Sequence, residues 1–497
     1  MPRTSYFVII FALMSKLFKI ILVLFGILLV VVLFNTFTFK SKQPSFPLLA
    51  KQAIDEACVT HLSEAVQIKT ISYDDVSLID TAVFSDFLEY LKVTYPLCDS
   101  LLNRTVINTY SLLYKWEGSD ASLKPVILLG HMDVVPAEDA VDEKWTHPPF
   151  SGLIDKDFIW GRGSIDDKVN VIGIMEAVEA QLKEGYKPKR TFYLAFGHDE
   201  EIGGREGALK IARYLESKNV KAEFAIDEGL LVTRGVVPGI TRPVALVGIA
   251  EKGYVSVELS VRTEGGHSSM PPKETSIGIL SRAVVNLEDH PLSARISEPV
   301  KKFIEYIGPE MPFFSKMAFA NPWLFESVII GKYEKSNAGD AIVRSTTAPT
   351  IIKSGVKDNV LPGFAVAVIN FRILPGESSE SIMTHVKAVI GDERVSCKIV
   401  SHTNEPSPIA SINSSSFVAI QKSIREVFDS IIITPSIVVG ATDARHYTRV
   451  APDAFRFVPI IALPADLKRL HGVNERISIE NFKDCIRFYR RLIVNSN

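Results

Sequence analysis

The chain has 497 residues, 47% hydrophobic and 23% charged, with a net charge of −2. That length is more than one core ordinarily serves, so two domains plus an appendage are expected, and balanced charge without a basic stripe excludes a nucleic-acid binder. Four scattered cysteines, Cys58, Cys98, Cys397 and Cys485, exclude a disulfide framework and form no Cys-x-x-Cys metal site, leaving one or two bridges at most.

Residues 20–34 are unbrokenly apolar behind Lys16 and Lys19, and residues 35–39 bring the run to about membrane-spanning length. The preceding lysines put the N-terminus in the cytosol. Phe37, Phe39 and Lys40 stand where a signal peptidase would need small residues, so residues 1–40 read as an uncleaved signal anchor rather than a signal peptide. Two sequons, Asn103-Arg104-Thr105 and Asn413-Ser414-Ser415, fit a lumenal or extracellular body. The expected location is a single-pass membrane protein with that topology. A cleaved chain would instead be secreted or held in a vacuolar or lysosomal lumen.

Residues 41–50, with Lys42, Pro44 and Pro47, read as a linker. From residue 126, apolar runs (126–129, 191–196, 222–226) alternate with helical patterns (169–182, 208–215), as β-α-β units on a mostly parallel sheet do. Residues 254–262 alternate strictly instead, with Val255, Val257, Leu259 and Val261 on one face, and the alternation returns at Ala367, Ile369, Phe371 and Ile373. One wet and one buried face means an antiparallel layer. A helix over 379–390, a strand over 395–400 and renewed α/β writing at 431–439 complete the pattern. The expected fold is an α/β catalytic domain, 51–250 and 403–497, interrupted over 251–402 by an α+β, ferredoxin-like lid that also dimerises.

In open α/β sheets the reacting groups gather past the carboxyl ends of strands. His131 and Asp133 follow the first apolar run, Glu200-Glu201 the second and Asp227 the third, while Asp166-Asp167 close a glycine-rich turn before a helix. His131, Asp166, Glu201, Asp227 and the distant His471 offer nitrogen and oxygen ligands without thiolate, which suits zinc or a similar divalent ion in a two-metal site. If Glu201 binds metal, Glu200 is left beside it as the proton-transferring base.

Gly130-His131-Met132-Asp133, Gly161-Arg162-Gly163-Ser164-Ile165-Asp166-Asp167-Lys168, Gly197-His198-Asp199-Glu200-Glu201 and Gly265-Gly266-His267-Ser268-Ser269 together resemble the co-catalytic zinc family of aminoacylase, carnosinase and carboxypeptidase G. Further likeness at Asn321-Pro322-Trp323-Leu324-Phe325-Glu326 and His471-Gly472-Val473-Asn474-Glu475 extends it towards carboxypeptidase S and N-fatty-acyl-amino-acid synthase/hydrolase. The resemblance implies two zinc ions per subunit, one on His131 and Asp227, the other on Glu201 and His471, with Asp166 bridging. It implies that Asp133 orients the histidine and that Glu200 deprotonates a zinc-bridging water to attack an amide. His267 would support the oxyanion across a homodimer, Arg445 would grip the substrate carboxylate, and Asn359 would touch substrate from the lid. One departure stands out, because Ala441 replaces an asparagine usual in carboxypeptidase S-like relatives.

The resemblance thus implies cleavage, and possible reversal into synthesis, of N-acyl amino acids, N-fatty-acyl ones above all. A metallocarboxypeptidase acting on small peptides is the alternative. An inactive binding protein for N-acyl amino acids is the reading from another class, and the complete ligand set with its base argues against it.

Overall fold

The computed structural model describes residues 3–138, 144–400 and 402–497. Residues 1 and 2, the first of the expected anchor, and 401, beside the expected end of the insertion, lie outside that set. Arg3–Thr38 is one helix, and its stretch Leu13–Thr38 is 26 residues long and apolar enough to cross a membrane. It begins well before the apolar run at residue 20 because no proline or glycine intervenes between Arg3 and Lys19.

Eight strands form the central sheet, in the order Asn103–Ile107, Ser111–Trp116, Phe192–Gly197, Val126–His131, Phe224–Thr233, Ala454–Ala462, Val244–Glu251 and Ile432–Val438. The middle strands, from Phe192–Gly197 to Ala454–Ala462, run parallel to one another and are flanked by antiparallel pairings, while the last two strands, Val244–Glu251 and Ile432–Val438, are parallel to each other. Every residue of Phe192–Gly197 and Val126–His131 is buried. Both sheet faces are covered, so these strands read as continuous apolar runs rather than as alternation. Val126 and Leu128 point into the core shared with helices Lys168–Lys183 and Ile479–Asn495, and Ile127 and Leu129 into the opposite one with helix Ala208–Ser217.

A second sheet is antiparallel throughout, in the order Thr346–Ser354, Phe364–Ile373, Gly253–Arg262, Val395–Ile399. Helices Ser276–Asp289 and Ser379–Ile390 cover it, and Val255, Val257, Leu259 and Val261 meet Ala367, Ile369 and Phe371 in a core of its own. Strand-helix-strand-strand-helix-strand is the ferredoxin-like order. Between its first helix and second strand the chain inserts further helices, among them Glu298–Ile307, Phe313–Ala320 and Pro322–Tyr333, which pack towards the edge strand Ile432–Val438 of the central sheet. All four cysteines are free thiols, and both sequon asparagines, Asn103 and Asn413, are exposed.

Candidate metal centre

The parallel strands end on one side, and their last residues carry the chemistry. His131 closes Val126–His131, Glu200 and Glu201 follow Phe192–Gly197, and Asp227 lies within Phe224–Thr233. Asp166 stands between two imidazoles, its Oδ1 3.0 Å from His131 Nε2 and its Oδ2 3.1 Å from His471 Nε2. Glu201 Oε2 approaches the same His471 nitrogen at 3.3 Å. Ligand atoms of His131, Asp166 and Glu201 all lie within 4.8 Å of one another, and Glu201 Oε1 is buried with no hydrogen-bond partner. Oxygen and nitrogen donors this close, one of them orphaned, fit a divalent cation. Asp227 is buried beside them, its carboxylate accepting from the N–H groups of Glu228 at 3.0 Å and Ala444 at 2.6 Å.

Asp167, the neighbour of Asp166, turns the other way. It accepts from the His131 N–H at 3.2 Å and from Asn170 Nδ2 at 2.6 Å, so it anchors the strand end and the following helix. His471 sits at φ +56°, in the left-handed region that residues with a Cβ rarely adopt. That conformation aims its imidazole at the two acids.

Asp133 is fully buried and holds the others in place. Its carboxylate accepts from the N–H of Glu200 at 3.0 Å, the N–H of Glu201 at 3.1 Å and the Ser72 hydroxyl at 2.8 Å, and lies 3.3 Å from His131 Nδ1. Asp133 thus fixes the turn bearing both glutamates through its carboxylate, and the histidine through its backbone carbonyl, 3.0 Å from Nδ1, as well as that carboxylate. An amide in its place would offer an NH2 to N–H groups that need an acceptor. Asp133→Asn is therefore expected to lower kcat and metal affinity by about 10–100-fold, checked by steady-state kinetics and competition with a zinc chelator.

Charges follow the geometry. Burial alone would lower the His131 pKa, but hydrogen bonds to Asp133 and Asp166 raise it well above the ordinary value. His471 is raised to about 10 by its bonds to Asp166 and Glu201. Metal binding displaces those protons, since a ligating imidazole must be neutral. Burial, with repulsion from Glu201, pushes the Glu200 carboxyl up to about 8, and nearby cations would draw it down again.

Several buried groups that the sequence does not single out complete the site. Glu475 accepts from the N–H of Ile165 at 2.8 Å and of Asp166 at 3.2 Å, and pairs with buried Arg162 at 2.6 Å, so it clamps the turn that presents Asp166. Asp443 is buried with both carboxylate oxygens unpartnered, and burial together with the charges of Glu200 and Asp227 raises its pKa well above normal. A Cβ at Gly204, φ +64°, would meet Asp443 at 2.0 Å, so only glycine lets the turn after Glu201 pass beneath it.

A cavity of about 890 Å³ opens beside these groups, lined by Glu200, Glu201, His471 and Arg445 and, from the second sheet, Tyr254 and Arg372. Arg445 donates from Nη2 to the Gly203 carbonyl at 2.9 Å, leaving its buried Nε unpartnered. Arg372 lies over the Tyr254 ring, 4.9 Å from its centroid. Ala441 also lines the cavity. His267 and Asn359 are not brought here. Both are exposed at the paired two-residue strands Gly266–His267 and Val360–Leu361, where the Asn359 carbonyl accepts from the Ser268 N–H at 3.2 Å.

The model of the peptidase family M20/M25/M40 matches residues 127–495. The chain belongs to that family. Its members are metal-dependent hydrolases, and the donor cluster lies within the matched stretch. The probable carboxypeptidase S-like 2 of Dictyostelium discoideum is 43% identical over 97% of this chain and 94% of its own length. The N-fatty-acyl-amino acid synthase/hydrolase PM20D1.1 of Danio rerio is 40% identical over 97% and 95%. Among solved structures, the M20 family metallo-carboxypeptidase Sso-CP2 of Sulfolobus solfataricus superposes with a TM-score of 0.66 at 18% identity, covering 89% of this chain and 99% of that one. That likeness establishes the fold.

Proposed function

We propose that this chain is a membrane-anchored amidohydrolase of N-acyl amino acids, N-fatty-acyl ones above all, able to run the same reaction towards synthesis. The carrying observation is Asp166 held between His131 and His471, with Glu200 beside them and Arg445 in the same cavity. The 40% identity to an N-fatty-acyl-amino acid synthase/hydrolase supports the substrate class. Of the two ions such a site takes, zinc being the suited metal, His131 and Asp227 would hold one, Glu201 and His471 the other, and Asp166 both. Bound there, they polarise an amide carbonyl and ease deprotonation of water near neutral pH.

Glu200 takes the proton of the attacking water as its oxygen bonds to the carbonyl carbon. When the C–N bond breaks, Glu200 returns that proton to the leaving nitrogen, giving an acid and an amine. Asp133 keeps Glu200 and His131 aligned throughout. Arg445 pairs with the amino-acid carboxylate, which a guanidinium can grip with two parallel donors. Arg445→Lys is expected to raise KM about 10–100-fold, since a hydrogen bond to a charged group contributes about 1.5–3 kcal/mol, while neutral amide analogues should show little change.

The unit 251–402 acts as a lid and dimerisation domain between the catalytic halves 51–250 and 403–497, with 41–50 as linker. His267 and Asn359, exposed at its far tip, would reach the neighbouring cavity in a homodimer. The N-terminal helix is an uncleaved anchor with the catalytic body lumenal or extracellular, and exposed sequons at Asn103 and Asn413 agree with that side.

The 43% identity to a carboxypeptidase S-like protein supports a second reading, peptidase action on small peptides. Mass-spectrometric turnover of an N-oleoyl amino acid and of a blocked dipeptide by the zinc-loaded full chain separates the two. Cleavage of the lipid amide alone is the expected result. The opposite preference establishes a peptidase, and silence on both with metal bound removes both readings.

A further inference from the structure

The last turns of the N-terminal helix dock on the helices Phe313–Ala320 and Pro322–Tyr333. Asn321, buried at their junction, donates from Nδ2 to the Val32 carbonyl at 3.2 Å and accepts at Oδ1 from Asn35 Nδ2 at 2.8 Å. The Phe37 and Phe313 ring centroids are 6.2 Å apart. Phe39 lies so close to Gly308 that a Cβ there would meet its ring at 2.5 Å. Just past the helix, Lys42 pairs with Glu305 at 2.7 Å, and Gln43 bonds both the N–H and the carbonyl of Ile433 at 2.7 and 2.9 Å.

Helix geometry sets the depth of this contact. The 26 residues of Leu13–Thr38 extend about 39 Å, against about 30 Å of bilayer hydrocarbon. Lys16 and Lys19 mark the inner interface, and about 20 residues of helix span that hydrocarbon, so the last turns, from Val32 to Thr38 and about 9 Å long, occupy its outer edge up to the outer interface. Asn321 is bonded to Val32 and stands there too.

The two helices are dressed for that environment. Phe313, Phe314, Trp323, Leu324 and Val328 are 45, 78, 59, 41 and 64% exposed. Aromatic and aliphatic side chains bared together are unfavourable in water and favourable at the outer edge of a bilayer. Behind them lies a cavity of about 470 Å³ walled by Leu246, Phe303, Ile307, Met311 and Phe319. Phe314 and Val328 belong both to its lining and to the exposed face, so its mouth opens on the side that meets the bilayer. Ser436 is also in its wall, four residues from Gly440 of the catalytic cavity, a chain distance of at most about 14 Å.

We propose that this cavity is a binding site for one acyl chain of a bilayer lipid, its mouth held at the outer edge of the bilayer by Phe313, Phe314 and Trp323. The bilayer is the occupant because the anchor helix brings it there and shares the contact surface. The volume lies in the range of sites that enclose a small apolar ligand. The inference rests on the uncleaved anchor and is independent of the reaction in the catalytic cavity.

The test uses the full chain in phosphatidylcholine vesicles containing a phosphatidylcholine with a photoactivatable diazirine in its acyl chain, followed by peptide mass spectrometry. Label is expected on Leu13–Thr38, on the exposed face of 313–333, and on cavity-wall peptides containing Leu246, Phe303 or Ile307. Val328→Arg puts a charge at the mouth on an exposed position that folding does not need. It should cut the wall label severalfold and leave the label on Leu13–Thr38 unchanged. Label on the anchor but not on the wall overturns the site, as does wall label indifferent to Val328→Arg. Cross-links between copies at Trp323 with no lipid on 313–333 would assign the face to a second chain instead. A chain recovered without residues 1–40 would refute the anchor itself, a result read separately from the N-terminal peptide.

Discussion

Glu200→Gln is expected to lower kcat by about 10²–10⁴, the range general acid–base catalysis supplies, with bound metal and fold retained. The substitution keeps the volume of the side chain, and the backbone N–H of residue 200 still bonds Asp133. No atom that contacts His131, His471 or Asp166 is removed. What disappears is the carboxylate that can accept a proton and return it. Glu201 and Asp443 crowd that carboxylate with like charge, so the melting temperature should hold or rise, as happens when a site kept for chemistry is relieved of repulsion. Elemental analysis and calorimetry accompany the kinetics. If metal were lost in proportion to activity, Glu200 would be a ligand and the assignment of the base would fail.

Much of this arrangement is legible before any coordinates, and the reason is physical. The central strands are buried on both faces and the second sheet on one, so continuous runs and strict alternation announce them. Thr346–Ser354 gives no such sign. It is an edge strand, largely exposed, with Pro349 inside and a bulge after it, so nothing constrains its pattern. The helices of 298–333 are obscure for the opposite reason. Pro322–Tyr333 buries Ile329 but leaves Trp323, Leu324 and Val328 exposed, which blurs a helical period built on one buried face.

The site divides in the same way. His131 and Glu201 are marked by their places at strand ends, and Asp227 by following the apolar run 222–226, although its strand continues past it to Thr233. His471 lies far downstream in an irregular turn, and only resemblance to a family connects it to them. Asp443 looks locally like the cap of the short helix Ala444–Tyr447, yet its side chain caps nothing and is buried beside Glu200. Adjacent acids cannot be told apart by pattern, so Asp166 and Asp167 become distinct only when one faces two histidines and the other a backbone N–H.

That distinction makes the second large effect. Asp166→Ala is expected to strip the chain of most of its metal and reduce turnover to background, a greater loss than the about 10–100-fold typical of a residue that only supports a ligand. The carboxylate spans His131 Nε2 and His471 Nε2 with one oxygen on each, and Glu201 reaches only the second of them. Without it no oxygen joins the two halves of the cluster, and the sites lose the anion that offsets their positive charge. The backbone of residue 166 is clamped independently by Glu475, so the turn should stay folded, which circular dichroism and melting temperature would check. Asp167→Asn supplies the contrast. Its carboxylate serves the His131 N–H and Asn170, so the substitution should lower stability while keeping substantial metal. Equal metal content in the two variants, or full metal in Asp166→Ala, would mean that the cation does not sit between the histidines, and the two-metal reading would then have to be abandoned along with the bridging role.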